Sequence, residues 1–217
     1  MKKDNKERTL SEAERRRLER FEQITRRMEQ QGYVRRDLTI SIGKANVFAI
    51  LLLIPLLVIG FGLYYAVHRR LDYSGYNLIL FFVVFIVLIA VHELIHGVCW
   101  SIFTPHHFRD IEFGIIKSSL TPYCTCLEPL KRGQHIFGTV MPLVILGILP
   151  MAAGIALGRT DVLFMGIIMA DSAAGDIMVI RRFLGYRSDA AETVFMDHPT
   201  QAGGVVFEKH GSSAGPG

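Results

Sequence analysis

His92, Glu93 and His96 form His-Glu-x-x-His within Val91-His92-Glu93-Leu94-Ile95-His96-Gly97. On a helix, residues four apart share one face, so two neutral imidazoles can hold one Zn²⁺ while the carboxylate one step round reaches a metal-bound water. That is the donor set of a metallopeptidase. The pattern also arises by chance in helices that bind nothing, and its setting decides between the two. Here it lies inside an apolar run, residues 78–103. A charged or strongly polar side chain near the middle of a membrane helix costs roughly 2.5–3.5 kcal/mol, and such residues usually line a functional interior. Three within five positions require a compensating partner, and a divalent cation is one.

The elements that must position these residues follow from composition. The chain has 217 residues, is 50% hydrophobic and still 20% charged, so the two classes must be segregated. Residues 1–44 hold nearly half of the charged residues, and apolar runs follow at 45–67, 78–103, 136–157 and 162–180. Each is close to the roughly 20 residues a helix needs to cross a bilayer. The expected fold is an all-α polytopic membrane protein with four transmembrane helices, a small cytoplasmic β-hairpin and an N-terminal amphipathic helix. About forty polar residues precede the first run, so a cleaved signal peptide is not expected.

Lys and Arg concentrate before the first run, between the second and third (Arg109, Lys117, Lys131, Arg132) and after the fourth (Arg181, Arg182, Arg187, Lys209), leaving only Arg69, Arg70 and Arg159 elsewhere. The positive-inside rule places both termini in the cytoplasm of a multi-pass protein of the cell membrane. The net charge of +4 then describes a basic face against anionic lipid, and no nucleic-acid module is visible. The expected units are a cytoplasmic basic segment (1–44), a four-span membrane domain (45–187), a cytoplasmic tail (188–210) and a linker or tag remnant (211–217).

Ser11 with Glu14 fits a capping box, and Leu18, Phe21, Ile24 and Met28 recur at helical spacing up to Gly32. This helix reads either as lying on the membrane surface or as packing through a narrow apolar stripe. Alternation in 110–117 and a returning segment at 121–127 predict a hairpin inside 104–133, which can accept an extended peptide at its edge or cover the site from water. Cys124 and Cys126 read as buried, inert thiols or as soft metal ligands. Pro142 and Pro150 interrupt the third run, freeing carbonyls near Gly138 and Leu146, the first of which is expected to face the metal and touch substrate backbone. Gly138, Gly147, Gly154 and Gly158 allow close helix packing.

A catalytic zinc needs a third protein ligand, and the fourth run supplies Asp171 and Asp176. His92 lies as far beyond the start of the second run as Asp176 beyond the start of the fourth, which at 1.5 Å per residue puts both roughly 21 Å from the outer boundary. Asp171 is about one and a half turns shallower, so Asp176 is the better candidate.

The segments HELIHG at 92–97, C-x-C-x-E-P at 124–129, A-A-G-D at 173–176 and D-H-P at 197–199 occur in this order among the four runs. Over residues 45–207 they resemble a bacterial family of membrane zincin metallopeptidases, formerly a domain of unknown function, and more distantly the site-2 proteases. The resemblance implies Asp176 as the third ligand, although here the Asp follows a Gly instead of preceding one. The expected function is zinc-dependent intramembrane hydrolysis of peptide bonds, with His92, His96 and Asp176 on Zn²⁺ and Glu93 as general base. The expected partners are a membrane protein or peptide substrate and the lipid bilayer, with no nucleic acid and an oligomeric state on which the sequence is silent. Two other classes fit the same residues: a noncatalytic metal-binding scaffold or metal transporter, and a metal-dependent hydrolase of a lipid or small molecule.

Overall fold

A computed structural model describes residues 12–72, 77–116 and 121–211. In chain order it contains α1 (Glu12–Gln30), β1 (Val34–Thr39), α2 (Ile42–His68), α3 (Leu78–Ser101), β2 (Ile111–Ile116), β3 (Thr121–Cys126), α4 (Arg132–Pro142), a π-helical turn (Leu143–Ile148), α5 (Leu149–Leu157), α6 (Thr160–Ser172), α7 (Ala174–Gly185), β4 (Glu192–Asp197) and β5 (Gly203–Lys209). The expected cap residue Ser11 and most of the expected linker lie outside the described residues.

Three helices are long and apolar enough to cross a membrane: α2, α3, and the continuous run Arg132–Leu157 through the π turn. The pair α6 and α7 qualifies as a fourth only as one span, bent by 45° at its break. Ile50, Leu51, Ile54 and Val58 on α2 and Ile79, Leu80, Phe82 and Ile86 on α3 are exposed. Apolar faces that continuous suit hydrocarbon and not water. Between the helices the packing is close: a Cβ on Gly147 or Gly154 would press on the backbone of Ala170 or Leu163.

The third run breaks from the α-helical ladder where its prolines dictate. Pro142 ends α4, and the next six residues form the wider π turn, whose Val144 carbonyl accepts from the Leu149 amide, five residues on. Irregular turns inside a span are tolerated where neighbouring groups satisfy the freed backbone.

Outside the helices stand two sheets. β2 and β3 pair antiparallel with Phe113 opposite Cys124 and Ile111 opposite Cys126, which is the expected hairpin. The second sheet differs from expectation: its three strands run β1-β5-β4, joining the N-terminal segment to residues read as a polar tail. β5 is the central strand and is buried on both faces, so no in-out alternation marks it. One face packs Val205 and Phe207 against Phe21, Ile24 and Met28 of α1; the other packs Val206 and Phe195 against Phe183 of α7. The apolar stripe of α1 is therefore spent on this sheet and is not free to lie on a membrane.

The polar flank of α1 reaches the hairpin region. Arg20 pairs with buried Asp110 at 3.4 Å, Arg27 with Glu128 at 2.6 Å, and the Arg17 guanidinium lies 3.9 Å over the Tyr123 ring. Leu130 and Phe195 exchange two backbone hydrogen bonds of 2.8 and 2.7 Å, tying β4 directly to the chain leaving β3.

Candidate metal centre

α3 sets His92 and His96 on one face in its last three turns, both buried. The break between α6 and α7 supplies the third group. α6 ends at Ala173, whose amide bonds the Asp171 carbonyl, and α7 restarts at Ala174, placing Asp176 in its first turn. A carboxylate there gains from the unpaired amides and the positive end of the helix dipole. The small residues Ala173 and Ala174 are almost completely buried, so no side chain holds the broken ends apart.

The geometry brings His92, His96 and Asp176 together, with ligand atoms all within 4.8 Å of one another. His92 Nε2 lies 3.1 Å from Asp176 Oδ2, and His96 Nε2 lies 3.5 Å from Asp176 Oδ1. Donors on adjacent corners of a tetrahedral zinc with bonds near 2.0–2.1 Å lie roughly 3.3 Å apart, so both separations suit one ion. Hydrogen-bond bookkeeping points the same way. His96 Nδ1–H donates to the Gly138 carbonyl at 2.9 Å, which leaves the Nε2 lone pair of a neutral ring facing a carboxylate oxygen. Two acceptors in that position repel unless a proton or a metal ion sits between them. His92 Nδ1 is buried with no partner among the described residues. The donor set therefore fits a Zn²⁺ ion, with both imidazoles binding through Nε2.

Glu93 is half-buried beside this group, with the backbone amide of Cys124 near its carboxylate. Asp171 stays in the last turn of α6, outside the group, as its shallower depth predicts. Its Oδ1 is buried without a partner among the described residues.

The Gly138 carbonyl corrects one expectation. Pro142 does free it, since a proline nitrogen has no hydrogen to give the residue four back. Yet it accepts from His96 and so orients a ligand where contact with substrate was expected. Gly138 also makes room for Trp100, because a Cβ there would overlap the indole. Trp100 in turn stacks on His96 with centroids 5.0 Å apart and planes at 12°, and its Nε1–H donates to the His135 carbonyl at 3.0 Å. Trp100 continues the four-residue stripe begun by His92 and His96, a signal that spacing alone carried. Replacing Gly138 by Ala is expected to cost about 1–3 kcal/mol through overpacking and, by pushing α4 from His96, to weaken zinc binding about 10–100-fold. Zinc titration of the folded variant checks this; wild-type affinity would mean that the carbonyl has no part in holding the ring.

The hairpin closes over the C-terminal half of α3. Phe113 packs where a Cβ on Gly97 would stand, and Ile111, Cys126 and Leu130 bury Trp100. β3 has β2 on one edge. On the other, the Cys126 amide donates to Asp197 at 3.0 Å and Pro122 has no N–H, so that edge offers an added strand no free donor at these two positions. Cys126 donates to the Glu128 carbonyl, and burial pushes its thiol up to about 12 and that of Cys124 higher still. Both stay protonated at neutral pH and lie outside the metal group, as inert thiols would.

The model of a family described as "Putative zincin peptidase" matches residues 85–191, a stretch that contains His92, Glu93, His96 and Asp176 and stops just before β4. No curated protein and no solved structure matches the chain.

Proposed function

From this match over the ligand group, we propose that the protein is a zinc-dependent intramembrane metallopeptidase that hydrolyses peptide bonds of membrane-associated substrates. The observation that carries the reading is the convergence of two imidazole nitrogens and one carboxylate beside a second carboxylate, all within helices fit to span a membrane. His92, His96 and Asp176 would hold a Zn²⁺ ion, which when bound would supply Lewis-acid polarisation of the scissile carbonyl and lower the pKa of the attacking water. Glu93 takes the proton of the attacking water at a carboxylate oxygen and returns it to the leaving amine as the C–N bond breaks. His96 is kept in its Nδ1–H form by the Gly138 carbonyl, so that Nε2 remains the ligand atom. The hairpin shields the group from bulk water on the side where α3 ends.

By the positive-inside rule, the distribution of basic residues supports a cytoplasmic position for the hairpin, the three-stranded sheet and both termini, in a topology of four spans that counts α6 and α7 as one. A cysteine introduced at exposed Arg159, between α5 and α6, should then react with an impermeant thiol reagent from outside intact cells. Reaction only after permeabilisation would reverse the topology.

The function itself is tested by incubating purified protein in lipid nanodiscs with a panel of labelled single-span membrane proteins. Cleavage that stops on chelation and returns with Zn²⁺ is expected. Tight zinc binding with no cleavage anywhere in the panel would instead support the scaffold or transporter class, and cleavage of lipid alone the third class.

A further inference from the structure

Beyond the metal group, the most fully bonded polar cluster joins the three-stranded sheet to the site. Asp197, at the end of β4, spends both carboxylate oxygens. Oδ2 accepts from the Cys126 amide at 3.0 Å and the Thr125 hydroxyl at 3.2 Å; Oδ1 faces His135 Nε2 at 3.1 Å. His135 is 1% exposed, and its Nδ1 lies 3.1 Å from Thr139 Oγ1, whose own proton goes to the His135 carbonyl at 2.8 Å. A carboxylate can only accept, so Nε2–H of His135 donates to Asp197.

Two routes lead from this carboxylate to the metal group. In the first, Asp197 holds Cys126 and Thr125, hence the β3 edge whose next outward amide, that of Cys124, lies near Glu93. In the second, it holds His135 at the start of α4, whose carbonyl fixes Trp100, the indole stacked on His96. The same helix carries the Gly138 carbonyl that orients His96. Asp197 is only partly buried, but its partners Thr125, Cys126 and His135 are buried, and a buried polar group left without a partner is costly.

We propose that Asp197 is a positioning residue of the metal centre, through which the three-stranded sheet sets the register of Glu93 by way of β3 and of His96 by way of α4. The inference rests on the metallopeptidase reading. It assigns a role to the Asp-His-Pro segment, which stands beyond the matched residues 85–191.

The test uses the full-length protein loaded with Co²⁺, whose visible absorption reports ligand geometry, together with the metal dissociation constant. Asp197→Ala is expected to shift the cobalt bands and weaken metal binding about 10–100-fold, the range for partners that orient ligands. Substrate turnover should fall in kcat with KM little changed, as no substrate contact is removed. Asp197→Asn should stay near wild type, because the amide oxygen still accepts from Cys126 and Thr125 while its NH₂ donates to a His135 ring that has given up its Nε2 proton. Wild-type bands and affinity in folded Asp197→Ala would overturn the proposal. Should that variant fail to fold, Thr125→Val and His135→Phe, each of which removes one partner, carry the test: shifted bands in either support it, and unshifted bands in both overturn it. Wild-type protein that binds no Co²⁺ would remove the metallopeptidase reading as well, a result distinct from wild-type binding that Asp197→Ala leaves untouched.

Discussion

Glu93→Gln is expected to lower kcat by about 10²–10⁴-fold, the contribution of a positioned general base, while zinc content stays that of wild type. The amide cannot accept a proton from water, but it fills the same space beside His92 and leaves the three ligand atoms in place. Metal analysis beside turnover on one preparation separates this outcome from its rivals. Full activity would remove general-base catalysis from the account, and loss of zinc together with activity would make Glu93 a ligand.

Asp176→Ala should abolish turnover and weaken zinc binding by more than the roughly 100-fold typical of losing a partner that only orients a ligand. It removes the oxygens that lie 3.1 and 3.5 Å from the two imidazoles, and a two-histidine site cannot hold a catalytic zinc well. Asp171→Asn is the control. Its carboxylate lies outside the group, so zinc content should match wild type and activity should fall little. Zinc lost in Asp171→Asn and kept in Asp176→Ala would exchange the two assignments.

The histidine pair and the third carboxylate were legible because membrane helices impose one rise per residue and tolerate few polar side chains. A run marked out as residues 78–103 contains α3, Leu78–Ser101, almost to the residue. Counting residues from the outer ends chose Asp176 even though it treats the fourth run as one straight helix. The 45° break at Ala173 was invisible, since Ser172, Ala173, Ala174 and Gly175 include no proline to announce it. Pro142 announced the freed carbonyl of Gly138 but not its partner, because which side chain reaches it depends on how α3 and α4 cross.

The three-stranded sheet was hidden for a different reason. Strands are read from alternation, and β5 has none, with residues 204–208 buried throughout. The stripe Phe21, Ile24 and Met28 looks the same whether it meets lipid or Val205 and Phe207; only the long-range pairing of β1 with β5 decides. Asp197 was visible as part of a motif, yet its partners His135, Thr125 and Cys126 lie 62 to 72 residues away in the chain. Buried polar groups of this kind are specified by their networks, which no local pattern reveals.

The most direct test of the account is elemental analysis of protein purified without chelators or added metal, with the His92→Ala, His96→Ala double variant prepared alongside. About one zinc per chain in the wild type and none in the double variant is the result expected of a three-ligand site built on these histidines. Wild-type protein without a divalent metal, or a double variant that keeps its zinc, would contradict it.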